Sequence, residues 1–217
     1  MTVVAMGSKQ DELARQLEQG VRALGLEVGP EMQSKLLRHL ELVEKWNRVH
    51  NLTSIRDGSK AVSLHLLDSL AILPYLSGRR VLDAGSGAGF PGIPIAVARP
   101  DMQVDVLDSS HKKYAFLRQA VAELGLKNVR AVCERAESWR PSERFDCIVS
   151  RALAEIAEII SLVEHLLAPG GVIAAMKGVH PFEEIDRMPA GFRVRQVHAL
   201  AVPGLGAERH LVLIERA

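Results

Sequence analysis

Val81-Leu82-Asp83-Ala84-Gly85-Ser86-Gly87-Ala88-Gly89-Phe90-Pro91-Gly92 is the stretch on which the reading of this chain turns. A short apolar run ends in an acid. Glycine then recurs at every second position, and a helix-compatible segment, Ile93 to Arg99, follows. The pattern predicts a buried strand, a tight turn and a helix start. Glycines without Cβ atoms accept strained backbone angles and let a ligand touch the main chain. The helix start behind them offers unpaired N–H groups. A nucleotide-like cofactor is the natural occupant.

Downstream of Arg79 the pattern alternates. Strands are predicted at Arg80–Asp83, Gln103–Asp108, Val129–Cys133, Cys147–Ser150 and Val172–Lys177, with helices at Pro91–Arg99, His111–Gly125 and Ala152–Leu167 between them. Such βαβ alternation implies a mostly parallel sheet covered on both faces. The tail differs: Phe192–Ala201 and Arg209–Ile214, separated by Pro203-Gly204-Leu205-Gly206, read as an antiparallel pair closing one edge. Upstream lie helices only. Leu13, Leu17, Val21 and Leu24 keep helical spacing from Asp11 to Leu24, and Leu36, Leu40, Val43 and Trp46 do so within Glu31 to Val49. Asn51-Leu52-Thr53 reads as a cap or turn. A third helix is predicted from near Asp57, carrying His65, Asp68 and Ser69 and fading before Pro74. The organisation is an N-terminal helical cap, residues 1–76, on an α/β domain, residues 77–217.

The totals restrict the function. A chain of 217 residues with 47% hydrophobic and 24% charged residues is an ordinary globular composition. A net charge of +1 argues against a strongly basic nucleic-acid binder, so RNA affinity requires a local patch. The two cysteines, Cys133 and Cys147, sit in strand-like runs and read as buried free thiols. No metal-ligand spacing, signal peptide or membrane-length apolar run is found, so a cytoplasmic protein without a metal is expected, with neither membrane nor partner subunit implied.

Three readings compete for the glycine turn. Packing alone is one. A dinucleotide site is the second: Phe90 breaks Gly-x-Gly-x-x-Gly counted from Gly85, but counting from Gly87 reaches Gly92, so NAD stays open. S-adenosylmethionine is the third. Asp83 at a strand end can accept from its ammonium in a charge-assisted bond, whereas NAD has no cation there. Asp108 at the next strand end can accept from ribose hydroxyls in either cofactor. The ordinary role for each acid is to cap a turn or helix.

Further motifs run in order: Asn51-Leu52-Thr53, His65-x-x-Asp68-Ser69, Asp83-x-Gly85-x-Gly87-x-Gly89-Phe90-Pro91-Gly92-Ile93-Pro94, Leu107-Asp108-Ser109 with Lys112, Phe116-Leu117, Ser150-Arg151-Ala152 and Lys177-Gly178. The set resembles the bacterial RsmG family, also called glucose-inhibited division protein B, over about residues 35 to 215. The resemblance implies a class I S-adenosylmethionine-dependent methyltransferase with a Rossmann-like seven-stranded sheet. It further implies transfer to N7 of one guanosine in 16S ribosomal RNA, with that RNA or the small ribosomal subunit as partner. By the same resemblance Gly85, Phe90, Ala136, Glu137 and Arg151 line the cofactor pocket, with Gly87 and Gly89 in its turn. Read locally, Glu137 is a solvated loop acid, and Arg151 pairs with Glu155 one helical turn later.

The chemistry fits what is missing. Guanine N7 carries a lone pair and no proton, so no general base is required, and the sequence contains no convincing acid–base pair. Neither cysteine stands in the loop after the fourth strand, where attack through a pyrimidine carbon needs a nucleophile. That loop also lacks an Asn-Pro-Pro-Tyr-like tetrad for an exocyclic amine. The candidate for positioning guanine is Arg151, since guanidinium pairs with guanine O6 or stacks on a base. Between Ser34 and Arg56, five basic residues (Lys35, Arg38, Lys45, Arg48 and Arg56) stand against Glu41 and Glu44, with Trp46, His50 and Asn51 for stacking and hydrogen bonding. Lys112, Lys177 and Arg209 extend this candidate RNA surface. His65 either positions RNA or, with Asp68, fixes the cap to the sheet. The enzymatic alternative is a nicotinamide-dependent oxidoreductase; the non-enzymatic one is an RNA-binding assembly factor.

Overall fold

The computed structural model describes residues 3–53, 55 and 58–217. Its first helix, α1 (Val3–Ala23), buries Leu17 and Val21, as the spacing predicts, and starts well before Asp11. In α2 (Pro30–His50) proline occupies the first turn, where its missing N–H costs nothing. Asn51 ends the helix in the left-handed conformation, φ 48°.

The third helix is not one regular piece. It runs as α3 (Gly58–Ala61), a π-helical turn over Val62–Leu67, and α4 (Asp68–Leu70). The wider turn sits inside the core, with His65 and Leu66 buried. A 3-10 turn, Leu73–Tyr75, then leads to the sheet.

The sheet contains β1 (Arg80–Ala84), β2 (Gln103–Leu107), β3 (Val129–Val132), β4 (Phe145–Arg151), β5 (Leu167–Lys177), β6 (Phe192–Ala199) and β7 (His210–Arg216). Their order is β3-β2-β1-β4-β5-β7-β6. The first five pair in parallel; β7 pairs antiparallel with both β5 and β6. The order reverses direction between β1 and β4, and such a switch point opens a crevice at the carboxyl ends of the strands.

The connecting helices are α5 (Gly92–Ala98), α6 (His111–Glu123), α7 (Ile156–Val163) and α8 (Phe182–Asp186). Two expectations need correction. The helix anticipated from Ala152 begins only at Ile156. Arg151 belongs to β4, Ala152 turns at φ 51°, and the Ile156 N–H is capped by Glu184 Oε2 at 2.8 Å. That cap comes from α8, distant in sequence and invisible to local periodicity. Cys147 is buried, but Cys133 lies just past the edge strand β3, half-buried beside His111 Nδ1 at 3.4 Å.

Strand side chains alternate between two cores. Val81, Val106, Val149, Ala174 and Leu213 face one; Leu82, Leu107, Ile148, Ile173 and Ile214 face the other, against α7. The first core also takes Leu17, Val21, Leu36, Leu40 and Leu66 from the cap. One apolar core therefore crosses residue 77. Leu36→Ala, at a fully buried cap position, is expected to cost about 2–5 kcal/mol. In urea titrations Trp46 of the cap and Trp139 of the α/β part should report one shared transition. An earlier transition seen only by Trp46 would mean the cap melts alone.

Candidate cofactor-binding and active site

Asp83 stands one residue before the end of β1, with its side chain fully buried. Its two oxygens are used unequally. Oδ2 accepts from Ser86 Oγ at 2.5 Å and from the Gly92 N–H at 2.8 Å. Oδ1 is buried with no donor among the described residues. Burial pushes the carboxyl up to about 6, against the Ser86 and Gly92 bonds and the Arg151 charge, which pull it down. The first oxygen thus performs the capping role, holding the start of α5. The second is an anion half short of partners, which is costly in a dry site and is relieved by a cation. The donor chemistry of the S-adenosylmethionine ammonium fits that deficit.

The turn itself is held from the next strand. Gly85 and Ser86 both donate to Leu107 O at 2.9 Å. Asp108 accepts from the Gly87 N–H at 3.0 Å and the Ser110 N–H at 2.9 Å, with Lys113 Nζ at 3.3 Å. Gly85, Gly87 and Gly89 all take positive φ, between 60° and 85°. A Cβ on Gly92 would come within 2.7 Å of Asp83 Oδ2, so glycine there permits the capping contact. Leu153, from the loop after β4, lies against Gly85.

Phe90 is turned inward. Its ring stacks on His65 at 4.4 Å and lies 4.5 Å from His39. The His39 Nε2–H donates to Ala88 O in the glycine turn at 2.9 Å. Burial holds the His39 imidazole down at about 4, against the Ala88 bond. In the sequence, the signal for His39 is its place on the apolar face of α2, between Leu36 and Leu40.

Arg151 ends β4. Its guanidinium donates from Nη1 to Leu64 O at 2.9 Å and Asp68 Oδ2 at 3.2 Å, and from Nη2 to His65 Nδ1 at 3.4 Å. It also lies over the Phe90 ring, 5.4 Å from the centroid. Its carboxylate partner is thus Asp68 of the cap, where local reading pairs it with Glu155. Burial, then the Arg151 charge, push His65 down to about 3. With Nδ1 accepting, the His65 Nε2–H donates to Thr53 Oγ1 at 3.2 Å.

Ser150, paired in register with Ala84, has a buried hydroxyl with no partner among the described residues. Ala136 follows β3 and packs on the second core. Glu137 is exposed and ion-paired with Arg135 at 2.6 Å.

The residues expected at an RNA surface scatter. Arg38 pairs with Glu41 and Glu123, and Arg48 with Glu44. Lys45 and Asn51 are exposed. Lys112 stands in the first turn of α6. His65 is only 5% exposed and stands inside the protein. The Lys177 ammonium is engaged by Glu184 at 2.6 Å and Ala154 O at 2.8 Å. Arg56 and the His50 side chain lie outside the described residues. A cleft of about 1430 Å³ is lined by α1 and α2 and reaches Thr53 and His65. It lies away from Asp83, so carboxylate chemistry rather than volume marks the cofactor site.

A raised carboxyl binds a cation only after losing its proton. Between pH 7 and 5, affinity for S-adenosylmethionine should therefore fall as pH drops through about 6, approaching tenfold per unit below it. Asp83→Asn should bind weakly with a flat profile. A flat wild-type profile by calorimetry would leave Asp83 as a helix cap only.

Comparison with known proteins agrees with this geometry. Residues 32–212 match the family model GidB, described as rRNA small subunit methyltransferase G. The Ribosomal RNA small subunit methyltransferase G of Aromatoleum aromaticum is 53% identical over 208 residues, covering 94% of this chain and 99% of that protein. The protein of the same name from Laribacter hongkongensis is 51% identical, covering 92% and 97%. Among solved structures, the glycopeptide N-methyltransferase MtfA complexed with S-adenosylmethionine superposes with a TM-score of 0.58 at 16% identity, over 70% of this chain and 87% of that one. TrmN from Thermus thermophilus does so at 0.51 and 22% identity, over 69% and 47%. These two likenesses concern the fold; by the family model and the near full-length relatives, the chain belongs to the rRNA small subunit methyltransferase G family.

Proposed function

We propose that this protein transfers a methyl group from S-adenosylmethionine to N7 of a guanosine in 16S ribosomal RNA, in the cytoplasm, on the RNA or the small ribosomal subunit. The observation that carries the reading is Asp83: a buried carboxylate at the sheet's switch point, one oxygen capping α5 and the other without a donor among the described residues. A nicotinamide cofactor presents no cation to such an oxygen.

When bound, S-adenosylmethionine supplies a methyl group already activated on sulfonium. The chain's own residues then have three tasks. Asp83 accepts from the ammonium, while Asp108 accepts from the ribose and keeps its hold on the Gly87 N–H. Ala136 and Glu137, in the loop after β3, flank the adenine. Arg151 would address the guanine through O6 or its face and so hold N7 in place for attack. No residue need remove a proton, because N7 has none. His65 agrees with this: it accepts from Arg151 and is held neutral by burial.

RNA contact falls to the exposed face of α2, with Arg38, Lys45, Arg48 and Asn51, extended by Lys112. Arg56 belongs to the same stretch of sequence. The acids beside Arg38 and Arg48 moderate the charge of this face.

Incubating unmodified small subunits or their RNA with methyl-labelled cofactor should place label on guanosine N7. Absence of label with cofactor still bound would favour the assembly-factor reading. Arg48→Glu should weaken RNA binding several-fold and flatten its salt dependence, with cofactor affinity unchanged. An unaltered salt slope would make the α2 face solvated surface.

A further inference from the structure

Asp68 stands where three elements meet. It is 2% exposed, and its oxygens are divided between two arginines. Oδ2 accepts from Arg151 Nη1 at 3.2 Å and Oδ1 from Arg209 Nε at 3.0 Å. Arg151 ends β4, Asp68 opens α4, and Arg209 directly precedes β7. The three are distant in sequence, and only the packing of the cap on the sheet brings them together.

A buried carboxylate with one arginine would be an ordinary strut. Two arginines on one carboxylate leave the trio with one positive charge in excess. Both guanidinium side chains remain about one-fifth exposed, at 20% and 22%. Arg151 is held further by Leu64 O, by His65 Nδ1 and by the Phe90 face. His65 is in turn fixed through Thr53 Oγ1, which also accepts from the Ile55 N–H. Every contact of Arg151 limits its rotation, yet its charge is only partly neutralised. This is the arrangement for presenting a cation at a set angle, in which supporting contacts lock the group that acts.

We propose that Asp68 and Arg209 are positioning residues for Arg151: Arg209 holds Asp68 Oδ1, so that Oδ2 sets the Arg151 guanidinium at the carboxyl end of β4. The assignment rests on the reading of Arg151 given above. Arg209 acts through Asp68, and its positive charge keeps the shared carboxylate from neutralising Arg151. Local sequence gives no hint of this, because Arg209 reads as one more surface cation at the start of the closing strand pair.

Arg209→Gln should lower kcat/KM for methyl transfer to unmodified small subunits by about tenfold or more, with a melting temperature near wild type. Arg209→Lys should recover most of the loss, since one ammonium hydrogen replaces the single Nε bond. In a double-mutant cycle on cofactor affinity and kcat/KM, Arg151→Gln with Arg209→Gln should be no worse than Arg151→Gln alone. Additive losses would show that Arg209 acts independently, as a direct RNA contact or a strut, and would overturn the proposal. So would a fully active Arg209→Gln beside a crippled Arg151→Gln, which would leave the Arg151 reading intact. A fully active Arg151→Gln would remove that reading itself. Asp68→Asn should reproduce the Arg209→Gln phenotype or worse; if it fails to fold, the Gln and Lys variants of Arg209 decide the matter.

Discussion

The bond from the Gly92 N–H to Asp83 Oδ2 is the constraint on which the site depends. It ties the end of β1 to the first residue of α5 and forces the intervening residues into a compact turn. That turn is possible only with glycines at positive φ and with no Cβ at Gly92. Burying a carboxylate to make the bond raises its proton affinity. A structural cap alone would not need two oxygens in a dry site. The arrangement is economical if the second oxygen serves a ligand.

The turn is also coupled to the N-terminal helices. His39 from α2 grips Ala88 O, and His65 from the π-helical turn stacks on Phe90. Both imidazoles are held neutral by burial, so they pack as aromatic, hydrogen-bonding spacers rather than as cations. The π turn has a place in this: it carries His65 against Phe90 and leads directly into Asp68, which meets Arg151. Cap and cofactor turn therefore share one apolar core and one polar network.

Much was legible in the chain itself. Short apolar runs placed the seven strands, the antiparallel closing pair among them, because strand side chains bury on both faces. The glycine turn and its two flanking acids were readable because glycine is the residue that takes such angles without strain, and the acids stand at the strand ends beside it. Local pattern failed where partners come from afar. Nothing near Ala152 announces that α7 waits until Ile156 for a cap from Glu184. Nothing near His65 or Lys177 announces that their polar atoms face inward to Thr53 and Arg151, or to Glu184 and Ala154.

By itself, then, the sequence determined the strand–turn–helix core, since this resides in contiguous residues with distinctive backbone requirements, and it pointed to the cofactor and the family through motifs spread from Asn51 to Gly178. Tertiary structure alone decided which charges meet. Asp68 faces Arg151 and Arg209 rather than a helical neighbour, and Arg38 reaches Glu123 on α6. Periodicity reports which side of an element is buried, but a long side chain chooses its partner among all elements packed around it.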